Sequence, residues 1–208
     1  MPAPTVYLVD DDTSVLRALG RLLAAAGMKV AAFESSREFL RDFDPAAPGC
    51  LVLDVAMPEL SGPELQQALA ARRSELPIVF LTGQGDIPTS VQAMKRGAAD
   101  FLTKPVDEET LLAAIRNALQ KDRVLREARE ELAQIERRLA ALTPREREVF
   151  ERVVDGRLNK QIAAELGTVE KTIKVHRASV MQKMGVRTLA DLVRLAGRAG
   201  VRSGRRRA

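Results

Sequence analysis

Apolar and polar positions in the first half of the chain alternate between two periods. Short, nearly continuous apolar runs are separated by segments whose apolar residues recur every three or four positions. Such runs are typical of buried strands, and the segments between them are typical of the helices that cross over between parallel strands. The pattern therefore predicts an α/β domain with a parallel, doubly wound, five-stranded sheet. The predicted strands are Thr5–Asp10, Val30–Phe33, Cys50–Asp54, Ile78–Leu81 and Asp100–Leu102, and the predicted helices are Ser14–Ala26, Ser36–Asp42, Pro63–Arg73, Ile87–Arg96 and one that starts near Asp107.

A long segment from Glu109 to Leu142 contains neither proline nor glycine. Its apolar residues keep a spacing of three and four that is interrupted at Asp122. At about 1.5 Å per residue, this helix would be roughly 50 Å long. The spacing fits a helical linker that pairs with a second copy as a coiled coil, and it also fits an amphipathic helix that lies on its own domain. The apolar positions are 111, 115, 118, 125, 128, 132, 135, 139 and 142.

A further set of helices is predicted after residue 142. Thr143, Pro144 and Glu146 match the N-cap, N1 and N3 positions of a capping box, so a new helix begins here. Short helical patterns follow, and the middle two are joined by a turn at Gly167. This arrangement has the outline of a helix-turn-helix. The predicted helices are Pro144–Val154, Lys160–Leu166, Glu170–Met184 and Leu189–Ala196.

Charge divides the chain into two unlike parts. Residues 1–120 carry a net charge of −5, and residues 121–208 carry +10. A basic half is the electrostatic footprint of nucleic-acid binding, although a solvated basic face has the same charge. The 208 residues are enough for two domains, and the single cysteine excludes an internal disulfide framework. With no membrane-length apolar stretch and no leader pattern, we expect a cytoplasmic protein that does not bind membranes.

Several predicted strands end in side chains that suit one chemical task. Asp10, Asp11 and Asp12 end the first strand, and Asp54 ends the third. Because the carboxyl ends of parallel strands meet where such sheets bind ligands, at least two of the first three lie beside Asp54. Clustered carboxylates need a cation, and oxygen ligands without His or Cys favour Mg²⁺. The residues that follow the fourth and fifth strands add a hydroxyl and an ammonium group that could neutralise a phosphoryl group on Asp54; they are Thr82 and Lys104.

Residues 5 to about 120 resemble the receiver domain of two-component response regulators. Besides the strand ends, two segments look like the FixJ-type subgroup, Thr82-Gly83-Gln84-Gly85-Asp86-Ile87-Pro88 and Phe101-Leu102-Thr103-Lys104-Pro105. The resemblance implies that a histidine kinase phosphorylates Asp54 and that Thr82 and Lys104 bind the phosphoryl oxygens. Phe101 would be the switch aromatic, which turns inward as Thr82 moves toward the phosphate. The implied Mg²⁺ ligands are Asp10, Asp11, Asp54 and the backbone carbonyl of Ala56.

Residues 143 to about 197 resemble the LuxR-type helix-turn-helix domain. The similar segments are Leu142-Thr143-Pro144-Arg145-Glu146-Arg147-Glu148-Val149, Asn159-Lys160-Gln161-Ile162-Ala163 and Lys171-Thr172-Ile173-Lys174-Val175-His176-Arg177. The resemblance implies a recognition helix over Glu170–Lys183. Because Val169 stands where Ser usually caps this helix, we expect Thr168 to cap it one residue early. The expected base contacts are Lys174, Val175 and Ala178, and the expected phosphate or flank contacts are Lys160, Lys171, Thr172, His176 and Arg177.

These features predict a phosphorylation-controlled transcription regulator of the FixJ type. We expect a sensor histidine kinase to phosphorylate Asp54 and the phosphorylated chain to form a homodimer. Val91 and Lys95 of the fourth helix are the candidates for the dimer face. The dimer would bind an inverted repeat in double-stranded promoter DNA and act with RNA polymerase. The expected divisions are a receiver domain at 5–119, a helical linker at 120–142, a helix-turn-helix domain at 143–198 and a basic tail at 199–208.

Two other functions use the same features. One is a DNA-binding regulator that acts without phosphorylation and keeps the receiver as an interaction module. The other is an aspartate-dependent phosphatase, which also uses an aspartyl nucleophile with Mg²⁺. Those phosphatases resemble a different pattern, in which the nucleophile is the first Asp of an Asp-x-Asp pair on the first strand. Here Val55 and Ala56 follow Asp54, so the second carboxylate of that pair, the general acid, is missing. We therefore expect that the chain is not an enzyme.

Overall fold

The structure is a computed structural model that describes residues 3–83 and 87–201, with only the backbone described at Ile87. The chain divides into two compact units, Met1–Arg126 and Glu127–Ala208. Within the described residues, no helix is long and apolar enough to cross a membrane. The predicted basic tail lies outside the described residues from position 202 onward, and so do positions 84–86 of the FixJ-like segment.

The first unit is built on a parallel sheet. Its described residues form five strands in the order β2-β1-β3-β4-β5, and every neighbouring pair is parallel. This confirms the α/β fold that the alternating pattern predicted. The strands are β1 Thr5–Val9, β2 Lys29–Phe33, β3 Gly49–Asp54, β4 Ile78–Thr82 and β5 Asp100–Thr103, and the helices are α1 Thr13–Ala25, α2 Ser36–Asp42, α3 Gly62–Ala71, α4 Ile87–Lys95 and α5 Glu108–Ala140.

Apolar side chains cover both faces of this sheet. Successive side chains of β1 enter different layers, since Leu8 packs with residues of α1 and α5 whereas Val9 packs with residues of α2 and α3. A strand buried on both faces must be apolar at nearly every position, which explains the continuous runs in the sequence. Cys50 is part of the α1 and α5 layer, and its burial raises the pKa of the thiol to about 12. The packed layers hold the carboxyl ends of β1, β3 and β4 side by side.

Helix α5 contributes apolar residues to the cores of both units. Leu111 and Ile115 are buried in the first unit, and Ile135 and Leu139 are buried in the second. Packing within each unit therefore explains the apolar spacing at both ends of the helix. Between them, Leu132 is 39% exposed, and pairing with a second copy stays a prediction for that stretch.

The second unit is a helical domain that contains the predicted helix-turn-helix. The capping box forms, because the amide of Glu146 donates to Thr143 Oγ1 at 3.3 Å and the amide of Thr143 donates to Glu146 Oε2 at 2.7 Å. Gly167 has φ +62° in the turn between α7 and α8, a conformation that glycine adopts without strain. The helices that follow α5 are α6 Pro144–Val154, α7 Asn159–Glu165, α8 Glu170–Met184 and α9 Leu189–Arg198.

Candidate functional site

The residues predicted at the strand ends meet in one place, which we call the acidic pocket: Asp10, Asp54, Thr82 and Lys104. Strand β3 lies between β1 and β4, with Leu53 beside Val9 and Asp54 beside Leu81. This register brings the side chains of Asp10, Asp54 and Thr82 next to one another. Asp10, Asp54 and Thr82 are 4%, 6% and 4% exposed, so two carboxylates are buried here together.

Lys104 supplies the positive charge that these two carboxylates need. Its Nζ donates to Asp10 Oδ2 at 2.6 Å and to Asp54 Oδ1 at 2.7 Å. Partial burial of the ammonium opposes its charge, but the hydrogen bonds to both carboxylates outweigh burial and raise the pKa of Lys104. The other carboxylate oxygens accept from backbone amides, Asp10 Oδ1 from Asp12 at 2.9 Å and Asp54 Oδ2 from Ala56 at 2.7 Å.

The oxygen atoms around the acidic pocket are of the chemical type that hard cations prefer. Asp11 is exposed at the end of β1, and Ala56 lies in the turn after β3. In the part of the chain that the structure describes, no group of three or more His, Cys, Asp and Glu side chains is arranged to hold a metal ion. Asp10 and Asp54 nevertheless already converge on one cation, the Lys104 ammonium. Carboxylate and carbonyl oxygens of this kind suit Mg²⁺ by their chemistry.

The turn after Asp54 is packed closely against the end of β3. The amide of Gly62 donates to the carbonyl of Val55 at 3.1 Å. A Cβ atom at Gly62 would lie 2.4 Å from the carbonyl oxygen of Asp54, so a side chain cannot fit there without a shift of the backbone. The buried Ser36 hydroxyl donates to the carbonyl of Leu60 at 3.0 Å and ties the turn to α2. Asp54 therefore stands on a tightly held strand end.

The candidate switch and dimer residues lie on the β4, α4 and β5 side of the sheet. Phe101 is half-buried, and its ring centroid lies 5.9 Å from that of Phe80. Val91 is 45% exposed on α4, and Lys95 is also exposed. The amide of Lys104 donates to the carbonyl of Thr82 at 2.7 Å, which links the two strand ends that carry phosphoryl-binding candidates.

Helix α8 presents one exposed face and one buried face. Lys171, Lys174, Val175 and Ala178 are exposed, and their spacing of three and four puts them on one side of the helix. Ile173, Val180 and Met184 are buried on the other side. The expected base-reading residues therefore lie on the exposed face of α8.

The start of α8 differs from the expectation for its cap. The N-cap residue is Val169, not Thr168, and the Val169 side chain makes no capping hydrogen bond. The capping prediction for Thr168 was therefore wrong, because α8 begins at Glu170 and its N-cap is the residue directly before it. Because α8 begins at Glu170, as the sequence predicted, the residues expected to contact DNA keep their predicted positions on the helix.

The remaining expected DNA contacts lie beside the exposed face of α8. Thr172, His176 and Arg177 are half-buried on α8, and Lys160 is exposed near the start of α7. Arg177 Nη1 donates to Asn159 Oδ1 at 3.1 Å, so this guanidinium also connects α8 to the first residue of α7.

Comparison with known proteins finds a matching family for each of the two units. A family model described as the response regulator receiver domain matches residues 6–116, and one described as bacterial regulatory proteins of the luxR family matches residues 140–196. The chain belongs to the response regulators that carry a LuxR-type DNA-binding domain. These two domains imply a histidine kinase and DNA as the partners of this response regulator.

Relatives of this response regulator match it along nearly its whole length. Nodulation protein W of Bradyrhizobium diazoefficiens is 46% identical over 94% of this chain and 86% of its own length. Transcriptional regulatory protein FixJ of Azorhizobium caulinodans is 42% identical over 94% of this chain and 93% of its own. The solved structure of response regulator StyR is 49% identical, covers 94% of this chain and 99% of its own chain, and has a TM-score of 0.89.

Sequence reasoning identified Glu146 only as part of a capping box. In the fold its buried carboxylate also accepts from Ser179 Oγ and from Lys183 Nζ, both at 2.6 Å. Lys183 first, then Ser179 and the amide of Thr143, lower the pKa of Glu146 to about 2. No local pattern could reveal these partners, because they are 33 and 37 residues away. Glu146 thus holds α8 to the start of α6.

Proposed function

We propose that a sensor histidine kinase phosphorylates this response regulator on Asp54 and that the phosphoryl group controls its binding to promoter DNA. The observation that supports this most directly is the convergence of Lys104 Nζ on Asp10 and Asp54. Phosphoryl transfer depends on alignment and on neutralising charge. A buried carboxylate with an ammonium group at 2.7 Å offers both conditions at one atom.

The roles of the acidic pocket follow from its charges. Asp10, Asp11, Asp54 and the carbonyl of Ala56 would hold Mg²⁺, which would help to neutralise the phosphoryl charge when bound. Lys104 then pairs with a phosphoryl oxygen, and the Thr82 hydroxyl donates to another. Because Thr82 moves toward the phosphoryl group, Phe101 turns inward against β4. The change at Asp54 is thereby passed to the α4 face.

The second unit reads DNA through α8. We assign base contacts to Lys174, Val175 and Ala178, since a lysine can pair with guanine and the two apolar side chains can meet a thymine methyl group. The net charge of +10 on residues 121–208 favours contact with phosphates. The residues assigned to phosphate or flank contacts are Lys160, Lys171, Thr172, His176 and Arg177.

Dimerisation would connect phosphorylation to DNA binding. Val91 and Lys95 are exposed on α4, the face expected to change when Phe101 turns. A two-fold dimer matches an inverted repeat in the promoter. We assign the protein to the cytoplasm, where it meets DNA and RNA polymerase. We assign it no enzymatic turnover, because Ala56 occupies the position at which the aspartate-dependent phosphatases place a second carboxylate.

The first experiment measures phosphorylation and DNA binding together. Purified protein is incubated with acetyl phosphate and Mg²⁺, its intact mass is measured, and it then selects duplexes from a random-sequence library at one fixed salt concentration. We expect one added phosphoryl group and enrichment of an inverted repeat. Asp54→Asn should lose both, whereas Asp42→Asn, which changes an exposed aspartate on α2, should keep both. Equal enrichment with and without acetyl phosphate would instead establish the phosphorylation-independent regulator.

A second experiment separates base reading from phosphate contact. Lys174→Ala should change which base is selected at one position of each half-site. Lys160→Ala should weaken binding to all sequences alike and reduce the dependence of affinity on salt. If Lys174→Ala weakens binding without changing the selected sequence, Lys174 contacts the DNA backbone and the assigned orientation of α8 is wrong.

A further inference from the structure

A buried ion pair lies where α5 leaves the first unit. Asp122 and Arg126 are one helical turn apart, with side chains that are 7% and 16% exposed. Asp122 is the residue that interrupts the apolar spacing of α5, and the proposed function gives it no role. A carboxylate is rarely buried in this way unless it is paired. We call Asp122 and Arg126 the exit anchor.

The exit anchor attaches α5 to the backbone at the beginning of β3. Arg126 Nε donates to the two carboxylate oxygens of Asp122 at 2.9 and 2.8 Å. The terminal nitrogens of Arg126 donate to the carbonyls of Ala46 and Ala47 at 2.7 and 2.5 Å. Asp122 Oδ2 also accepts from the amide of Gly49 at 3.0 Å. One point of the helix is thus held to three backbone positions.

The exit anchor contacts the strand that carries Asp54, and it lies directly before the start of the second unit. Gly49 and Asp54 are the two ends of β3, so the exit anchor holds the strand that carries the phosphoacceptor. The fully buried apolar residues that α5 gives to the first unit end at Ala118, and the second unit begins at Glu127. Attachments at two residues one turn apart set both the direction and the rotation of a helix.

We propose that the exit anchor couples phosphorylation of the receiver to DNA binding by holding the rotational position of α5. The inference rests on the proposed function, because it concerns how a phosphoryl group on Asp54 changes DNA affinity. Helix α5 is continuous, and its later residues Ile135 and Leu139 are buried in the core of the second unit. A rotation at the exit anchor is therefore carried into that core. Without the exit anchor, α5 turns independently of β3 and the phosphoryl group no longer alters DNA affinity.

Two variants of the full chain test the exit anchor. Asp122→Asn removes the negative charge, and Arg126→Lys keeps the positive charge but cannot reach all its partners at once, so it is the milder change. Each protein is measured for phosphorylation by acetyl phosphate, for thermal unfolding, and for affinity toward a duplex that the wild type selects. The readout is the ratio of the affinities with and without acetyl phosphate. Arg116→Met controls for loss of an exposed charge on α5, and Ile115→Val controls for lost stability in the same core.

We expect both exit-anchor variants to be phosphorylated to the wild-type extent. Each should lose most of the affinity ratio, and allosteric coupling between two sites ordinarily changes an affinity by about 5–150-fold. Both controls should keep the ratio. An exit-anchor variant that unfolds at lower temperature but keeps the wild-type ratio would show a purely structural role and overturn the inference. Loss of the ratio in Ile115→Val would overturn it as well, because coupling would then follow stability. A wild-type ratio of one overturns the proposed switch itself, so the two failures are distinguishable.

Discussion

Replacing Lys104 with methionine should destabilise the first unit, because it leaves two buried carboxylates without their shared cation. Lys104 donates charge-assisted hydrogen bonds to Asp10 and Asp54, and bonds of that kind contribute about 1.5–3 kcal/mol each. The Lys104 side chain is 26% exposed, and solvent screening lowers the combined value. We therefore expect Lys104→Met to lower the free energy of unfolding by about 2–4 kcal/mol at neutral pH.

The stabilisation that Lys104 gives to the first unit depends on pH in a definite direction. The pKa of Lys104 is raised, so its stabilisation is fully present at neutral pH and is lost only as the pH rises through that raised pKa. In Lys104→Met this stabilisation is absent at every pH, so the difference from the wild type should shrink as the pH rises through the pKa of Lys104. An unchanged difference at high pH would show that lost packing, rather than lost charge, causes the destabilisation.

The assay can follow the first unit alone. Tyr7 is the only tyrosine of a chain that has no tryptophan, and it is buried in that unit. Urea unfolding followed by tyrosine fluorescence therefore reports the stability of the receiver. Lys29→Met, which removes an exposed lysine from β2, should change the free energy of unfolding by less than about 0.5 kcal/mol. If Lys104→Met unfolds at the same urea concentration as the wild type, the charge argument for the acidic pocket is refuted.

Three further predictions concern the second unit. Val169→Ser should raise the thermal midpoint measured by circular dichroism, because the Val169 side chain makes no capping bond and a serine N-cap contributes about 1 kcal/mol. An unchanged midpoint would show that another group already caps α8. Leu139→Ala should cost about 2–5 kcal/mol at any protein concentration; a loss that varies with concentration would indicate pairing between copies. The pKa of Glu146 is about 2, so its stabilisation is present above pH 4.5 and is lost as the pH falls toward 2, and Glu146→Gln should flatten that part of the curve of thermal midpoint against pH.

Local pattern in the sequence was sufficient for the fold of each unit and for the acidic pocket. The apolar runs of β1, β3 and β4 predict strands buried on both faces, and parallel strands bring their carboxyl ends to one edge. That rule alone placed Asp10, Asp54, Thr82 and Lys104 together, and the structure has them in contact or in neighbouring positions. The helical period of α8 likewise separated its buried residues from its exposed ones.

Only the tertiary structure decided which distant groups complete these sites. Two partners of Glu146 lie on α8, and the backbone partners of Arg126 lie 79 and 80 residues earlier in the chain. The apolar spacing of α5 fitted both a coiled coil and packing on a domain, because each buries the same stripe of side chains. At Ile135 and Leu139, the core of the second unit buries the stripe. Periodicity specifies which face of a helix is buried, whereas the surface that buries it depends on contacts between segments far apart in the chain.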